Sequence, residues 1–308
     1  CHPDTVTVRG SNPRAPTNLN TNCVDLGFGI NTGINTDDLV DRFERFLRID
    51  LNQAERTIKK HLWEIGRLLK WLGPRESFSV DDLRSYLALF QDKSPATRAN
   101  VLKSLRVFFN HFLHRSDLVE SFRFPKESFT PRQLPSKDSL RRFFDALDND
   151  RERAFFLLAA SSGLRRSELL SLRRDDLDLD NRLIVPKNAH QNASTKNSWI
   201  SLFNNEAETY LRRYLENRKN DSNELWHVGE TAFRKAFKKA SQVSGVKLTP
   251  QDLRFWFANE MSRLSVSDRI IDALQGRTPR SILARHYSDF SSERLKEAYD
   301  MANLTVLN

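Results

Sequence analysis

Three features of the 308-residue sequence predict a mostly α-helical protein in two parts. Apolar residues recur at helical spacing, three and four apart, in segment after segment. Only one pair of short apolar runs, placed around a polar turn, reads as strands, so a single small β-hairpin or sheet is expected. A stretch at 120–136 holding Pro125, Pro131 and Pro135 reads as a linker between a helical bundle and a longer α-rich domain. Hydrophobic residues at 39% and aromatic residues at 10% suffice for two cores and exclude a largely disordered chain.

Taken in order, residues 1–33 are polar, rich in Asn, Thr, Gly and Pro, and aperiodic; they are expected to be disordered. The bundle is placed at 34–119. Its first helix follows Thr36-Asp37-Asp38 and repeats Leu39, Phe43, Phe46 and Leu47. A second, at 53–72, lines up Ile58, Leu62, Ile65, Leu68, Leu69 and Leu72 and stops at Gly73-Pro74. A third starts behind Ser79 and ends near Phe90, and a fourth runs from Ser94-Pro95 to His114. Tyr86, Phe108 and Phe109 are read as packing. Arg56, Lys59, Lys60, Arg67, Lys70, Arg98, Lys103 and Arg106 stand among these helices, either as a solvated surface or as a face that contacts phosphates.

The second domain is placed at 137–308. Ser136 caps a helix at 137–147, a second covers 151–161, Gly163 breaks it, and Ser167-Glu168 begins the next. The strands are expected at 182–185 and 198–203, around a polar turn at 188–195. Helices follow at 206–217, 231–244, 251–264, 268–275, 281–285 and 293–301. Trp199, Trp226 and Trp256 are assigned to the core, as are Tyr210 and Tyr214. The Arg173-Arg174-Asp175-Asp176 run is read as a solvated helix end.

Lys+Arg 49 against Asp+Glu 40 gives a formal charge of +9, the balance of a surface that meets a polyanion. Cys1 and Cys23 form neither a disulfide framework nor a zinc set, so a reducing compartment, the cytoplasm, is expected. No apolar run reaches the roughly 18 to 20 residues of a membrane span, and no signal-peptide core or G-x-x-x-x-G-K-S/T loop is present. No membrane, metal or cofactor is expected.

Against this background one constellation carries chemistry. Gly163-Leu164-Arg165-Arg166-Ser167-Glu168-Leu169 sets an arginine at a helix start with a carboxylate three residues on that can hold it. Lys187 and Lys196 flank the turn between the strands. Gln251-Asp252-Leu253-Arg254 opens a helix behind Thr249-Pro250, and Leu274-Gln275-Gly276-Arg277 is followed ten residues later by Tyr287. A phenol, with an ordinary pKa near 10, attacks a phosphodiester only where cations stabilise the charge that develops.

This ordered set resembles the tyrosine recombinase (phage integrase) family over roughly residues 36–300. The resemblance implies that Arg165 and Arg254 clamp the phosphate with Arg277 a further donor, that Glu168 supports Arg165, and that Lys187 or Lys196 is the general acid. Lys187 stands where the family's acid usually lies, but the choice stays open. Tyr287 would be the nucleophile, with Tyr299 a weaker rival, and the neighbouring His286 is read as a surface or structural residue. Gln251 stands where the family usually has His or Lys, so a proton-transfer role gives way to an amide hydrogen bond. Arg277 replaces the usual His or Trp, a pattern similar to archaeal fusellovirus-type integrases.

What the resemblance implies in full is a clamp of two domains on double-stranded DNA, cleaving attachment sites through a 3′-phosphotyrosyl intermediate. It further implies a homo-tetramer on two duplexes, associated with the host nucleoid and needing no cofactor. Gly10-Ser11-Asn12-Pro13 can be encoded by GGT-TCG-AAT-CCC, the consensus of a transfer-RNA gene's TΨC arm. A mobile element with its attachment site inside its own gene, integrating at a tRNA gene, is the expectation drawn from it.

Overall fold

The computed structural model describes residues 36–73, 77–128, 130–185, 200–218, 221–277 and 289–308, which form two compact units divided between positions 129 and 130. The expectations for 1–33, the turn at 188–195, Trp199 and the helix at 281–285 are among those that fall outside these residues.

The first unit holds α1 (Thr36–Ile49), α2 (Glu55–Leu72), α3 (Val80–Ala88) and α4 (Pro95–Arg106). Local signals set the starts. Ser79 and Asp82 form a capping box at α3, and Ser94 accepts from the Thr97 amide at α4 with Pro95 in its first turn. The apolar faces meet in a core of Phe43, Leu47, Ile65, Leu68, Leu83 and Leu105, each 0% exposed. The fourth helix does not run unbroken to His114. At Val107 it widens into a π-helical segment, Val107–Phe112, closed by a bond from the Leu113 amide to the Phe108 carbonyl. The wider turn lets adjacent Phe108 and Phe109 both face inward, against Phe43 at 5.0 Å and Phe78 at 5.3 Å between ring centroids.

The basic residues of this unit divide into two kinds. Arg56, Lys59, Lys70 and Lys103 are exposed. Arg67 instead binds Glu64 and the Tyr86 phenol and Arg106 donates to the Phe122 carbonyl, while Lys60, exposed like the first four, donates to Asn100. Arg67 and Arg106 are thus tied into the bundle.

The second unit holds α5 (Lys137–Asp145), α6 (Asp150–Ser162), α7 (Arg166–Ser171), β1 (Leu177–Asp178), β2 (Leu183–Ile184) and β3 (Ser201–Leu202). They are followed by α8 (Asn205–Glu216), α9 (Glu230–Ser244), α10 (Pro250–Arg263), α11 (Asp268–Leu274) and α12 (Ser292–Ala302). The sheet has three antiparallel strands rather than two, with Leu177 opposite Ile184 and Leu183 opposite Leu202. β1 was invisible as a strand because two residues carry no alternation. The Arg173–Asp176 run is only partly solvated: Asp176 is 5% exposed and accepts from the Arg173 amide.

Helix α6 is the centre of this unit. Its residues from Ala154 to Ser162 are all buried, which explains why its sequence shows no polar face. Phe155 stacks on Phe233 of α9 at 4.0 Å, and Phe143 of α5 lies 5.6 Å from Phe156. Trp226 and Trp256 are buried as expected, with the Trp226 ring N–H donating to the Leu169 carbonyl. Among the described residues no helix is long and apolar enough to cross a membrane.

Candidate active site

A helix leaves its last carbonyls without partners inside the helix. At the end of α6 three successive ones are each met by a side chain from a different element. The Tyr299 phenol of α12 donates to Ser161 O at 2.7 Å, the Ser201 hydroxyl of β3 to Ser162 O at 2.7 Å, and Arg254 of α10 to Gly163 O. Gly163 is left-handed (φ +62°), and a Cβ there would lie 2.4 Å from the Phe257 ring of α10. Only glycine lets α6 end this close to the helix that carries Arg254.

A second chain reversal supplies the other wall. α11 ends in a Schellman turn: the Gly276 amide donates to Ala273 O and the Arg277 amide to Asp272 O, both at 2.8 Å, with Gly276 at φ +60°. The turn aims two carbonyls at two arginines. Arg254 Nη2 donates to Gln275 O at 2.7 Å, and Arg165 Nη2 donates to Gly276 O at 3.2 Å. Gln275 grips Arg254 a second time, its side-chain Nε2 donating to the Arg254 carbonyl at 2.8 Å.

Glu168 completes the cluster. As the third residue of α7 it accepts from the Arg165 amide at 2.7 Å and from Arg165 Nη1 at 2.6 Å, and lies 4.0 Å from Arg254 Nη1. The same carboxylate therefore caps the helix and orients the arginine before it. Arg165 keeps 24% of its side chain exposed, Arg254 only 6%. Burial, then the charge of Arg165, lowers the Arg254 pKa to about 10, so the guanidinium still carries its charge at neutral pH. The guanidinium groups of Arg165, Arg254 and Arg277 against the carboxylates of Glu168 and Asp272 leave the site positive, with donors fixed in place and suited to an anion with two oxygens to offer.

The structure thus brings together Arg165, Glu168 and Arg254. Arg277 adjoins them, close enough to act on Arg254, with its Nη1 held by Asp272 at 2.9 Å. Gln251 is exposed in the first turn of α10, one turn before Arg254. Lys187, Lys196, His286 and Tyr287 lie outside the described residues. Tyr299 is 2% exposed, its hydroxyl spent on Ser161 O and its pKa pushed far up by burial, so it is a strut and not a rival nucleophile. Sequence reasoning missed Gln275, Asp272 and the Gly163 carbonyl; the one available signal was a polar residue closing the apolar run before Gly276.

The model of the phage integrase family matches residues 135–294, a span that contains all of these side chains except Tyr299. The chain belongs to the phage integrase family. Its similarity to curated members extends well beyond that span. The tyrosine recombinase XerA of Thermococcus kodakarensis is 29% identical over 284 residues, covering 87% of this chain and 96% of the relative. XerA of Pyrococcus furiosus is 25% identical over 284 residues, 87% and 94% of the two chains. Among solved structures, a lambda integrase tetramer bound to a Holliday junction superposes with a TM-score of 0.64 at 15% identity, covering 85% of this chain and 81% of that one. That likeness gives the fold of a tyrosine recombinase. As a phage integrase family member the protein is a tyrosine-type site-specific DNA recombinase, which breaks and rejoins DNA strands.

Proposed function

We propose that this integrase cleaves duplex DNA with Tyr287 and that the Arg165–Arg254 pair is its phosphate clamp. The phenol oxygen attacks phosphorus, the bond to the 5′ oxygen breaks, and a 3′-phosphotyrosyl ester conserves the energy for rejoining to a new 5′-hydroxyl. Arg165 and Arg254 hold the non-bridging oxygens as negative charge grows on them, with Arg277 a further donor. Lys187 or Lys196 protonates the leaving 5′ oxygen. Gln251 contributes an amide hydrogen bond to the same phosphate. The observation that supports this reading most is the convergence of Arg165 and Arg254 on one turn, 111 and 21 residues distant in sequence, with Glu168 between them.

The finer reading extends to the assembly and the target. Relatives of this fold are seen as a tetramer on a Holliday junction and as a dimer on a core site. A homo-tetramer on two duplexes is the corresponding state here, and a tRNA gene is the attachment site suggested by Gly10-Ser11-Asn12-Pro13. The test is covalent trapping on a nicked suicide duplex carrying that tRNA-gene segment. A denaturant-stable protein–DNA adduct that disappears in Tyr287→Phe is expected. An adduct that persists in that variant would move the nucleophile elsewhere, and a folded protein giving no adduct on any duplex would sink the reading.

A further inference from the structure

Gln275 carries a cost that the fold alone does not explain. It is 0% exposed, and its side-chain Oε1 has no hydrogen-bond partner among the described residues. A buried acceptor left unsatisfied costs about 1–3 kcal/mol, and a leucine of similar size in the same place would avoid it. The sequence around it invites one: Ile271, Ala273 and Leu274 on the preceding turn are buried and apolar. What the amide does provide is a donor. Its Nε2 reaches the Arg254 carbonyl at 2.8 Å while its own main-chain carbonyl receives Arg254 Nη2 at 2.7 Å.

One residue therefore holds Arg254 at both ends, backbone and guanidinium. The long side chain between those points has several rotatable bonds, and fixing both ends in one rigid turn leaves it a single reach. The turn in question also holds Arg165 through the Gly276 carbonyl, next in sequence. A shift of the α11 end relative to α10 would therefore change the spacing of the two guanidinium groups, and the Gln275 side chain adds to the Arg254–Gln275 carbonyl bond a second tie that opposes such a shift.

We propose that Gln275 is a positioning residue for strand cleavage, keeping its buried amide in order to hold the Arg254 guanidinium in place beside Arg165. This rests on the clamp role of the two arginines proposed above. Gln275 touches no DNA itself; it acts through Arg254.

The test compares Gln275→Leu and Gln275→Met with the unaltered full chain on the same suicide duplex, measuring cleavage rate, DNA affinity and thermal midpoint. Both substitutions keep volume and remove the unsatisfied acceptor, so the midpoint is expected to stay the same or rise. The cleavage rate is expected to fall about tenfold to a hundredfold, the scale of a small misplacement of a reacting group, with affinity unchanged. A second substrate carries a methylphosphonate at the scissile position, in which a methyl group replaces one charged non-bridging oxygen. If Gln275 acts through the clamp, the ratio of unaltered to variant rates shrinks several-fold on at least one methylphosphonate diastereomer.

Native cleavage by both folded variants would overturn the proposal, and so would an equal loss on phosphate and methylphosphonate. Failure of both variants to fold would overturn it too, by making Gln275 a residue of the fold. Absence of cleavage by the unaltered protein would instead count against the clamp reading itself, and the two failures are thereby told apart.

Discussion

Two arginines in this molecule are gripped by their surroundings, and they are gripped in opposite ways. Arg67, in the bundle, lies against Trp63 and Phe90 at 4.5 Å from each ring centroid, with Glu64 at 2.6 Å and the Tyr86 hydroxyl at 3.0 Å. Burial works to lower its pKa, but the hydrogen bonds of Tyr86 and Glu64 outweigh it and the net direction is up. Arg254, in the catalytic unit, is more deeply buried, yet its close partners are the neutral carbonyls of Gly163 and Gln275. Burial and a neighbouring arginine take its pKa down. The first charge is neutralised where it stands. The second is oriented chiefly by carbonyl dipoles, with Glu168 at 4.0 Å shared with Arg165, so it is less completely compensated, as the proposed phosphate clamp requires.

The contrast breaks most visibly under one substitution made at both places. Arg254→Lys keeps a charge but loses the planar fork, and cleavage in a single-turnover assay is expected to fall at least about a hundredfold. Arg67→Lys is expected to leave the cleavage rate of bound DNA unchanged and to lower unfolding free energy by about 1 kcal/mol, read by denaturant titration. Equal effects on cleavage would erase the distinction. Gly163→Ala tests the wall that Arg254 leans on. With a left-handed backbone and a Cβ 2.4 Å from the Phe257 ring, it is expected to cost about 2–3 kcal/mol of stability and to lower cleavage at temperatures where the variant is still folded.

The smallest effect is a pH dependence confined to the bundle. His61 is 6% exposed, its Nδ1 is 2.9 Å from Ser104 Oγ, and burial together with Lys60 pushes its pKa below the ordinary value of 6.5. The unfolded chain therefore binds the extra proton first. The stability His61 contributes is present above about pH 6.5 and is lost as pH falls below it. Denaturant midpoints between pH 7.5 and 5 should fall more for the unaltered protein than for His61→Gln, and parallel curves would refute the assignment.

Much of the fold was legible because long amphipathic helices announce themselves: Ser79, Ser94, Ser136 and Thr249 all cap the helices expected behind them. Arg165 and Arg277 were legible through Gly163 and Gly276, and Arg254 through its place after Gln251 at the helix start behind Thr249-Pro250. What holds those arginines was not, since the Gly163, Gln275 and Gly276 carbonyls belong to the main chain and have no letter of their own. Packing likewise hid part of the fate of Arg67: Glu64 lies three residues before it on the same helix, but the Tyr86 phenol arrives from α3 only once the bundle is packed. The π-helical turn at Val107–Phe112 arises from packing as well, with three phenylalanines, Phe108, Phe109 and Phe112, needing neighbours at once.

The three carbonyls at the end of α6 also bear on when in its life the protein can act. Their partners come from 39, 91 and 138 residues further along, so each bond closes a long loop that a growing or half-folded chain has yet to close. Until those closures are made, Arg254 has no fixed station and the pair with Arg165 does not exist. If the pair is the clamp proposed above, a chain still emerging from the ribosome, or one partly unravelled by heat, is a protein without scissors. For an enzyme that breaks DNA strands, the order of assembly is then itself a safety catch.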